Sequence, residues 1–193
     1  MQQQRRRSGI ILALLALGLL AGAALAANPA QAVDAVGPYY ALPAWDRKIA
    51  PVNRFVVLTD WNSEAVLDKE TGLVWEKSPS TDLSPLLFAR FQCEEFRTTS
   101  ARIGWRLPSM DELASLIDPS VASPGPTLPP GHPFLNVLGG TGAHDYYWSA
   151  TLSAEDPARA WVVSFGSGGV TTFNRANSYQ VWCVRGGNSA DAY

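Results

Sequence analysis

The chain has 193 residues, of which 47% are hydrophobic and 17% charged, and its 15 Lys and Arg against 17 Asp and Glu give a formal net charge of −2. Without residues 1–26 the basic residues fall to 12 against the same 17 acidic ones, a net charge of −5. This acidic excess argues against a nucleic-acid-binding protein, because bulk attraction to a polyanion requires a basic surface. The remaining length is enough for one domain with its own hydrophobic core.

An N-terminal signal peptide is predicted over residues 1–26. The arginines Arg5 to Arg7 precede an uncharged run from Ile10 to Ala27, which contains a small-residue cleavage site, Ala24-Leu25-Ala26. A second such site, Ala30-Gln31-Ala32, would place the cut after residue 32. The alternative is an uncleaved anchor, because the run approaches the ~18 apolar residues of a membrane span. We expect an exported protein, periplasmic, secreted or at the cell surface, without membrane contact once the signal is removed.

The rest of the chain is predicted to have three parts. Residues 27–53 are rich in alanine and proline and indicate a linker or a surface arm. Residues 54–187 carry the apolar periodicity of a folded domain. Residues 188–193 are small and polar, and we expect them to be disordered.

The domain is predicted to begin with strands. Phe55 to Leu58 has the composition of a strand. Ala65 to Asp68 and Leu73 to Glu76 flank a turn that contains Gly72, and this arrangement predicts a β-hairpin. Trp75 is expected to face the core.

A first helix is predicted to begin at Ser84-Pro85, a capping serine followed by a proline at the first helical position. The residues of its inward face share helical spacing: Leu86, Ala89, Cys93 and Phe96. Cys93 and Cys183 are the two cysteines of the chain. In an exported protein they indicate one disulfide, whereas two isolated cysteines make a poor metal site.

A second helix is predicted from Met110 to Asp118, before Pro119. Ser109 and Glu112 have the spacing of a capping box, in which each side chain accepts a hydrogen bond from the other residue's backbone N–H. Leu113, Leu116 and Ile117 would form the inward face. We expect this stretch and the aromatic strands to form a structural hub composed of Trp105, Arg106, Pro108, Ser109, Glu112, Trp148 and Trp161.

The C-terminal half is predicted to contain a long loop followed by strands. Residues 119–133 include six prolines, which exclude regular structure. The strand candidates are then Tyr146 to Ala150, Ala160 to Phe165, Val170 to Phe173 and Gln180 to Arg185. The predicted fold class is α+β, with two helices packed on a mostly antiparallel, twisted sheet, a proline-rich loop and one disulfide.

Several short motifs resemble a bacterial family named after the C-terminal domain of a Legionella collagen-like adhesin. The resemblance extends from about Arg54 to Gly187. The motifs that carry it are Thr71-Gly72-Leu73-Val74-Trp75, Ala89 with Cys93, Trp105-Arg106-Leu107-Pro108-Ser109 with Glu112-Leu113, Tyr147-Trp148-Ser149-Ala150-Thr151, Ala160-Trp161-Val162-Val163-Ser164-Phe165 and Cys183-Val184-Arg185-Gly186. Members of the family are similar to C-type-lectin-like domains, in which a cysteine of the first helix pairs with one of the final strand. The resemblance implies a mostly non-enzymatic exported domain, with adhesion and polysaccharide or glycosaminoglycan binding in the namesake.

These observations favour a secreted or cell-surface recognition module that binds a polysaccharide or cell-surface glycan and is compatible with a homo-oligomer. Trp61, Tyr146 and Tyr179 are the candidate ligand contacts, because core alternation explains them least, although packing in the core or at its rim is the favoured interpretation of their rings. A structural subunit of an envelope assembly is the alternative. An enzyme related to formylglycine-generating oxidases is a weaker one, since that chemistry requires free thiols. The sequence predicts no catalytic residue, metal ligand or cofactor.

Overall fold

The computed structural model describes residues 49–97, 99–140 and 145–187. The predicted signal peptide, nearly all of the predicted arm and the predicted tail lie outside these residues. In the described residues a few short helices accompany nine strands in two sheets, which confirms the α+β class. The C-type-lectin-like assignment stays a prediction.

The helices are short and lie in the first two thirds of the domain. Two single turns of 3-10 helix cover Thr59–Trp61 and Thr99–Ala101. A π-helical turn, Gln92–Phe96, directly follows the α-helix Leu86–Phe91. The α-helices are α1 (Pro51–Arg54), α2 (Leu86–Phe91) and α3 (Met110–Ala114). The strands are β1 (Phe55–Val57), β2 (Ala65–Asp68), β3 (Val74–Glu76), β4 (Ser80–Ser84), β5 (Tyr146–Leu152), β6 (Arg159–Ser164), β7 (Val170–Asn174), β8 (Tyr179–Val181) and β9 (Val184–Arg185).

The first sheet has the strand order β1-β2-β3-β9 and contains the predicted hairpin. β2 pairs antiparallel with β3, so that Val66 lies opposite Trp75. Gly72 in the connecting turn has φ of +75°, a left-handed conformation that favours glycine. Trp75 is fully buried, as predicted.

The second sheet has the order β4-β8-β5-β6-β7. β5, β6 and β7 form an antiparallel meander, whereas β8 runs parallel to β5. The prediction of one final strand from Gln180 to Arg185 is wrong, because the chain passes here from the second sheet to the first. Between β8 and β9, Trp182 Nε1 donates to the Glu76 carbonyl at 2.8 Å, and the Cys183 amide donates to the Glu76 side chain. The Cys183 amide thus bonds to a side chain and not to a backbone carbonyl, while the Glu76 amide donates to the Cys183 carbonyl at 3.2 Å.

Three of the four residues predicted for the inward face of the first helix are buried, Leu86 and Ala89 in α2 and Cys93 in the π-helical turn, and the side chain of the fourth, Phe96, lies outside the described part. The predicted cap of α2 is wrong. Ser84 ends strand β4, which the sequence analysis did not predict, and its carbonyl accepts a hydrogen bond from Trp148 Nε1 at 2.7 Å. The outer face of α2 is apolar and exposed; it consists of Leu87, Phe88 and Phe91.

The helix α3 begins as predicted and ends earlier than predicted. The capping box is present: the Glu112 amide donates to Ser109 Oγ at 3.2 Å, and the Ser109 amide donates to Glu112 Oε2 at 2.8 Å. Beyond Ala114 the chain continues with i to i+3 bonds, including Leu116 N to the Leu113 carbonyl at 3.1 Å. The shorter helix still buries Leu113 and Leu116, so the predicted inward face is largely retained.

The disulfide and the proline-rich loop complete the fold. Cys93 and Cys183 are bonded, as predicted, and both are fully buried. The bond connects the π-helical turn after α2 to the crossing between the two sheets. Residues 119–133 contain no helix or strand, as predicted, and the buried Leu128 attaches this loop to the core.

Candidate functional site

An open cleft of about 500 Å³ lies at one end of the first sheet. It is formed by the turn between β1 and β2, the end of β3, the segment that follows the π-helical turn, and one residue beyond the proline-rich loop. Its walls contain carboxylates, cationic side chains and hydroxyls around one exposed leucine. The lining residues are Ser63, Glu64, Glu76, Lys77, Ser78, Arg97, Thr99 and Leu135.

The buried carboxylate of Glu76 connects the parts of this cleft. Arg97 Nε lies 2.8 Å from Glu76 Oε1, and Thr99 Oγ1 donates to the same oxygen at 2.7 Å. The Cys183 amide donates to Oε2 at 3.1 Å. Burial raises the pKa of Glu76, and Arg97, Thr99 and the Cys183 amide oppose this rise by stabilising the charged form. The carboxylate therefore holds Arg97 and Thr99 against the end of β3.

Hydrogen bonds position the other walls of the cleft, around the end of β3. The Lys77 amide donates to the Glu64 carbonyl at 2.8 Å, and the Leu135 amide donates to the Lys77 carbonyl at 2.8 Å. Asn136 Nδ2 donates to Ser78 Oγ at 3.0 Å. The end of β3 thus carries the β1–β2 turn on one side and residues 135–136 on the other.

Trp61 precedes Ser63, a residue of the cleft lining, by two positions in the chain. Its ring and two arginine side chains form an aromatic and cationic surface. The guanidinium carbons of Arg102 and Arg185 lie 4.3 Å and 5.3 Å from the centre of its half-buried ring. Trp105 contacts the same ring edge-on, with a centroid distance of 6.4 Å. Two cations over one indole are a favourable arrangement, because the ring face is electronegative.

The other two predicted ligand contacts lie in a separate aromatic cluster. Tyr146 and Tyr179 have a ring-centroid distance of 5.7 Å, and both pack against Phe173. Tyr146 is half-buried, whereas Tyr179 is only 6% exposed and also contacts Trp148. Packing within the core therefore accounts for the Tyr179 ring. Ligand contact by Trp61, Tyr146 or Tyr179 stays a prediction.

The predicted structural hub is divided between the core and the start of α3. Trp105, Pro108 and Trp148 are buried, and Glu112 pairs with Arg106 while it caps the helix through Ser109. Trp161 is half-buried in β6, opposite Thr172 of β7. The role of these residues as one hub stays a prediction.

The sequence did not indicate the residues that form the cleft. The apolar spacing of the first predicted helix leaves Arg97 outside its inward face, but Arg97 lies beside a buried carboxylate. Glu76 follows Trp75 in a strand whose last two residues are both buried. A carboxylate at the end of a buried strand requires a partner, and this was the available signal.

The described residues contain no group of three His, Cys, Asp or Glu side chains that could hold a metal ion. His132 stacks on Phe134 with a centroid distance of 5.9 Å, and burial lowers the pKa of the imidazole. His144, the other histidine, lies outside the described residues.

The model of the Lcl C-terminal domain family matches residues 64–185, a range that includes both cysteines and every lining residue of the cleft except Ser63. The chain belongs to this family. Lcl C-terminal domains are associated with adhesins, and membership is consistent with a non-catalytic module. No curated protein matches the sequence.

Membership of the Lcl C-terminal domain family and the disulfide together suggest an exported protein. In the part of the chain that the structure describes, no helix has the length and apolar character needed to cross a membrane. The apolar run from Ile10 to Ala27 lies outside that part.

Proposed function

We propose that this protein is an exported recognition module that binds a polysaccharide or cell-surface glycan in the cleft around Glu76. The observation that supports this proposal is the mixture of hydrogen-bonding groups in the cleft walls: the Glu64 carboxylate is an acceptor, the Lys77 ammonium a donor, and the hydroxyls of Ser63 and Ser78 are both. Sugar hydroxyls also donate and accept, so one ring can satisfy several such groups. The cleft volume of about 500 Å³ falls within the range of ~300–1,000 Å³ that is usual for small-ligand sites.

The contacts of Glu76 favour binding over catalysis. One oxygen of this carboxylate is held by Arg97 and Thr99 and the other by the Cys183 amide. A general acid or base must reach a substrate proton, and these protein groups already surround both oxygens. Glu76 is therefore better suited to holding the cleft in shape than to transferring protons.

A glycan array tests the proposal with the purified exported protein and two lysine variants. Lys77→Ala removes a cleft side chain, and Lys69→Ala is the matched control in the β2–β3 hairpin, which is at the opposite end of these strands. We expect the wild type and Lys69→Ala to bind the same glycans, and Lys77→Ala to bind them at least roughly fivefold more weakly, about 1 kcal/mol. Absence of binding to every glycan would reject the proposed function, and equal binding by both variants would place the ligand elsewhere.

A further inference from the structure

The charges of the cleft define the class of glycan that fits it. Glu64 and Glu76 contribute two negative charges, and Lys77 and Arg97 contribute two positive ones. The cleft therefore carries no net charge. A sulfated polysaccharide gains from a surplus of cations, whereas an uncharged sugar needs donors and acceptors in balance.

The arginine of the cleft lining is already paired. Arg97 Nε lies 2.8 Å from the Glu76 carboxylate, which is buried and has one negative charge to neutralise. A sulfate group that recruited Arg97 would leave this carboxylate without its cation in a poorly solvated position, at a substantial cost in free energy. Lys77 is the other cation of the lining, and the Glu64 carboxylate of the same lining offsets its charge.

The other arginines of the described residues are also held by protein groups. Two of them form ion pairs with buried carboxylates, Arg54 with Asp68 and Arg106 with Glu112. Arg185 donates to the Ile103 carbonyl at 3.0 Å and shares the Trp61 ring with Arg102. A polyanion would therefore have to compete with existing contacts at each of these cations.

We infer that the cleft binds an uncharged saccharide in preference to a sulfated or otherwise anionic one. This inference rests on the proposed function and names the ligand class of the same site. The net charge of −5 without residues 1–26 acts in the same direction, because it repels polyanions at long range. The exposed Leu135 offers an apolar contact for the C–H face of a sugar ring, which a dense sulfate pattern would cover.

Pairs of polysaccharides that differ in sulfation provide the test. The purified exported protein is presented with dextran, galactan and mannan and with the sulfated form of each, at about 50 and 500 mM NaCl. We expect binding to at least one unsulfated polymer, with an affinity that changes less than about twofold between the two salt concentrations, since neutral contacts are not screened. Lys77→Ala should weaken this binding at least roughly fivefold, whereas Lys69→Ala should not.

The remaining outcomes separate the two proposals. Binding to the sulfated polymers alone, with an affinity that falls roughly tenfold or more at high salt, would overturn the inference and leave the proposed glycan-binding function standing. Binding to a neutral polymer that Lys77→Ala does not weaken would also overturn it, because the neutral ligand would lie outside the cleft. Absence of binding to both forms of every polymer would reject the proposed function itself.

Discussion

Arg106 and Glu112 form a bidentate ion pair at the start of α3, in which Arg106 Nη1 donates to Glu112 Oε2 at 2.7 Å and Arg106 Nη2 donates to Glu112 Oε1 at 2.5 Å. The same carboxylate accepts the Ser109 amide and closes the capping box. Arg106 Nη2 also donates to the Gly186 carbonyl near the C-terminal end of the domain. One pair of side chains thus connects the helix start to the end of the first sheet.

Glu112→Ala should destabilise the protein by about 3 kcal/mol, because it leaves Arg106 without its carboxylate and removes one half of the capping box. Asp111→Ala is the control, since Asp111 lies in the same helical turn and is exposed. Its effect should stay within about 0.5 kcal/mol. Urea unfolding followed by far-UV circular dichroism measures both. Equal midpoints for the two variants would show that the ion pair contributes little.

Removal of the disulfide should have a larger effect. Cys93 and Cys183 are separated by 90 residues, and closing a loop of this length is worth about 4 kcal/mol in the chain-entropy model. The double variant Cys93→Ala, Cys183→Ala should lose this amount in urea unfolding. Intact mass after alkylation without reductant provides the independent check, and we expect no modified cysteine in the wild type. Two alkylated cysteines would contradict the disulfide.

Features that depend on contacts between residues close in the chain were predicted correctly, whereas features that depend on distant residues, apart from the disulfide, were not. The capping box of Ser109 and Glu112 and the turn at Gly72 involve residues within one or two turns of chain, where residue type and spacing decide the conformation. The same kind of local pattern predicted a helix cap at Ser84. Instead, Ser84 ends β4, and its carbonyl accepts a hydrogen bond from Trp148 Nε1, 64 residues away. Tertiary contacts override a local preference of this size.

The cleft could not be predicted for the same reason. The side chain of Glu76, which lines the cleft, accepts a hydrogen bond from the Cys183 amide, 107 residues away in the chain. Neither Glu76 nor Arg97 belongs to a motif with a characteristic spacing. The disulfide was predictable because two cysteines in an exported chain have one pairing, whatever the distance between them.

A second buried ion pair provides another test of the core. Arg54 donates to both oxygens of the fully buried Asp68, at 2.9 Å and 2.7 Å, and Thr71 Oγ1 donates to Oδ2 at 3.0 Å. Asp68→Ala should cost about 3 to 5 kcal/mol, because the buried guanidinium loses its two short bonds to a carboxylate and keeps only the Ser115 carbonyl and the more distant Glu70. Glu70→Ala, which removes a more exposed carboxylate 3.4 Å from Arg54, is the matched control. It should cost less than about 1 kcal/mol in the same thermal or urea experiment.

Protonation of Glu76 should stabilise the folded protein, so that its contribution to the free energy of unfolding is larger at low pH than at high pH. Because burial raises the pKa of this carboxyl above 4.5 in the folded state, the folded protein holds the proton more tightly than the unfolded chain. The stabilisation from this proton is therefore fully present below the unfolded pKa and is lost as pH rises through the folded one. Glu76→Gln cannot titrate.

The wild type minus Glu76→Gln difference in unfolding free energy should accordingly decrease as pH rises from about 4 to 7. Glu155→Gln, a substitution at an exposed residue, is the control and should follow the wild-type profile. Urea unfolding at a series of pH values measures the difference directly. A difference that instead grows with pH would mean that the attraction of Arg97, 2.8 Å away, outweighs the cost of burying the charge. In that case the ion pair, and not desolvation, would control the carboxyl at the floor of the cleft.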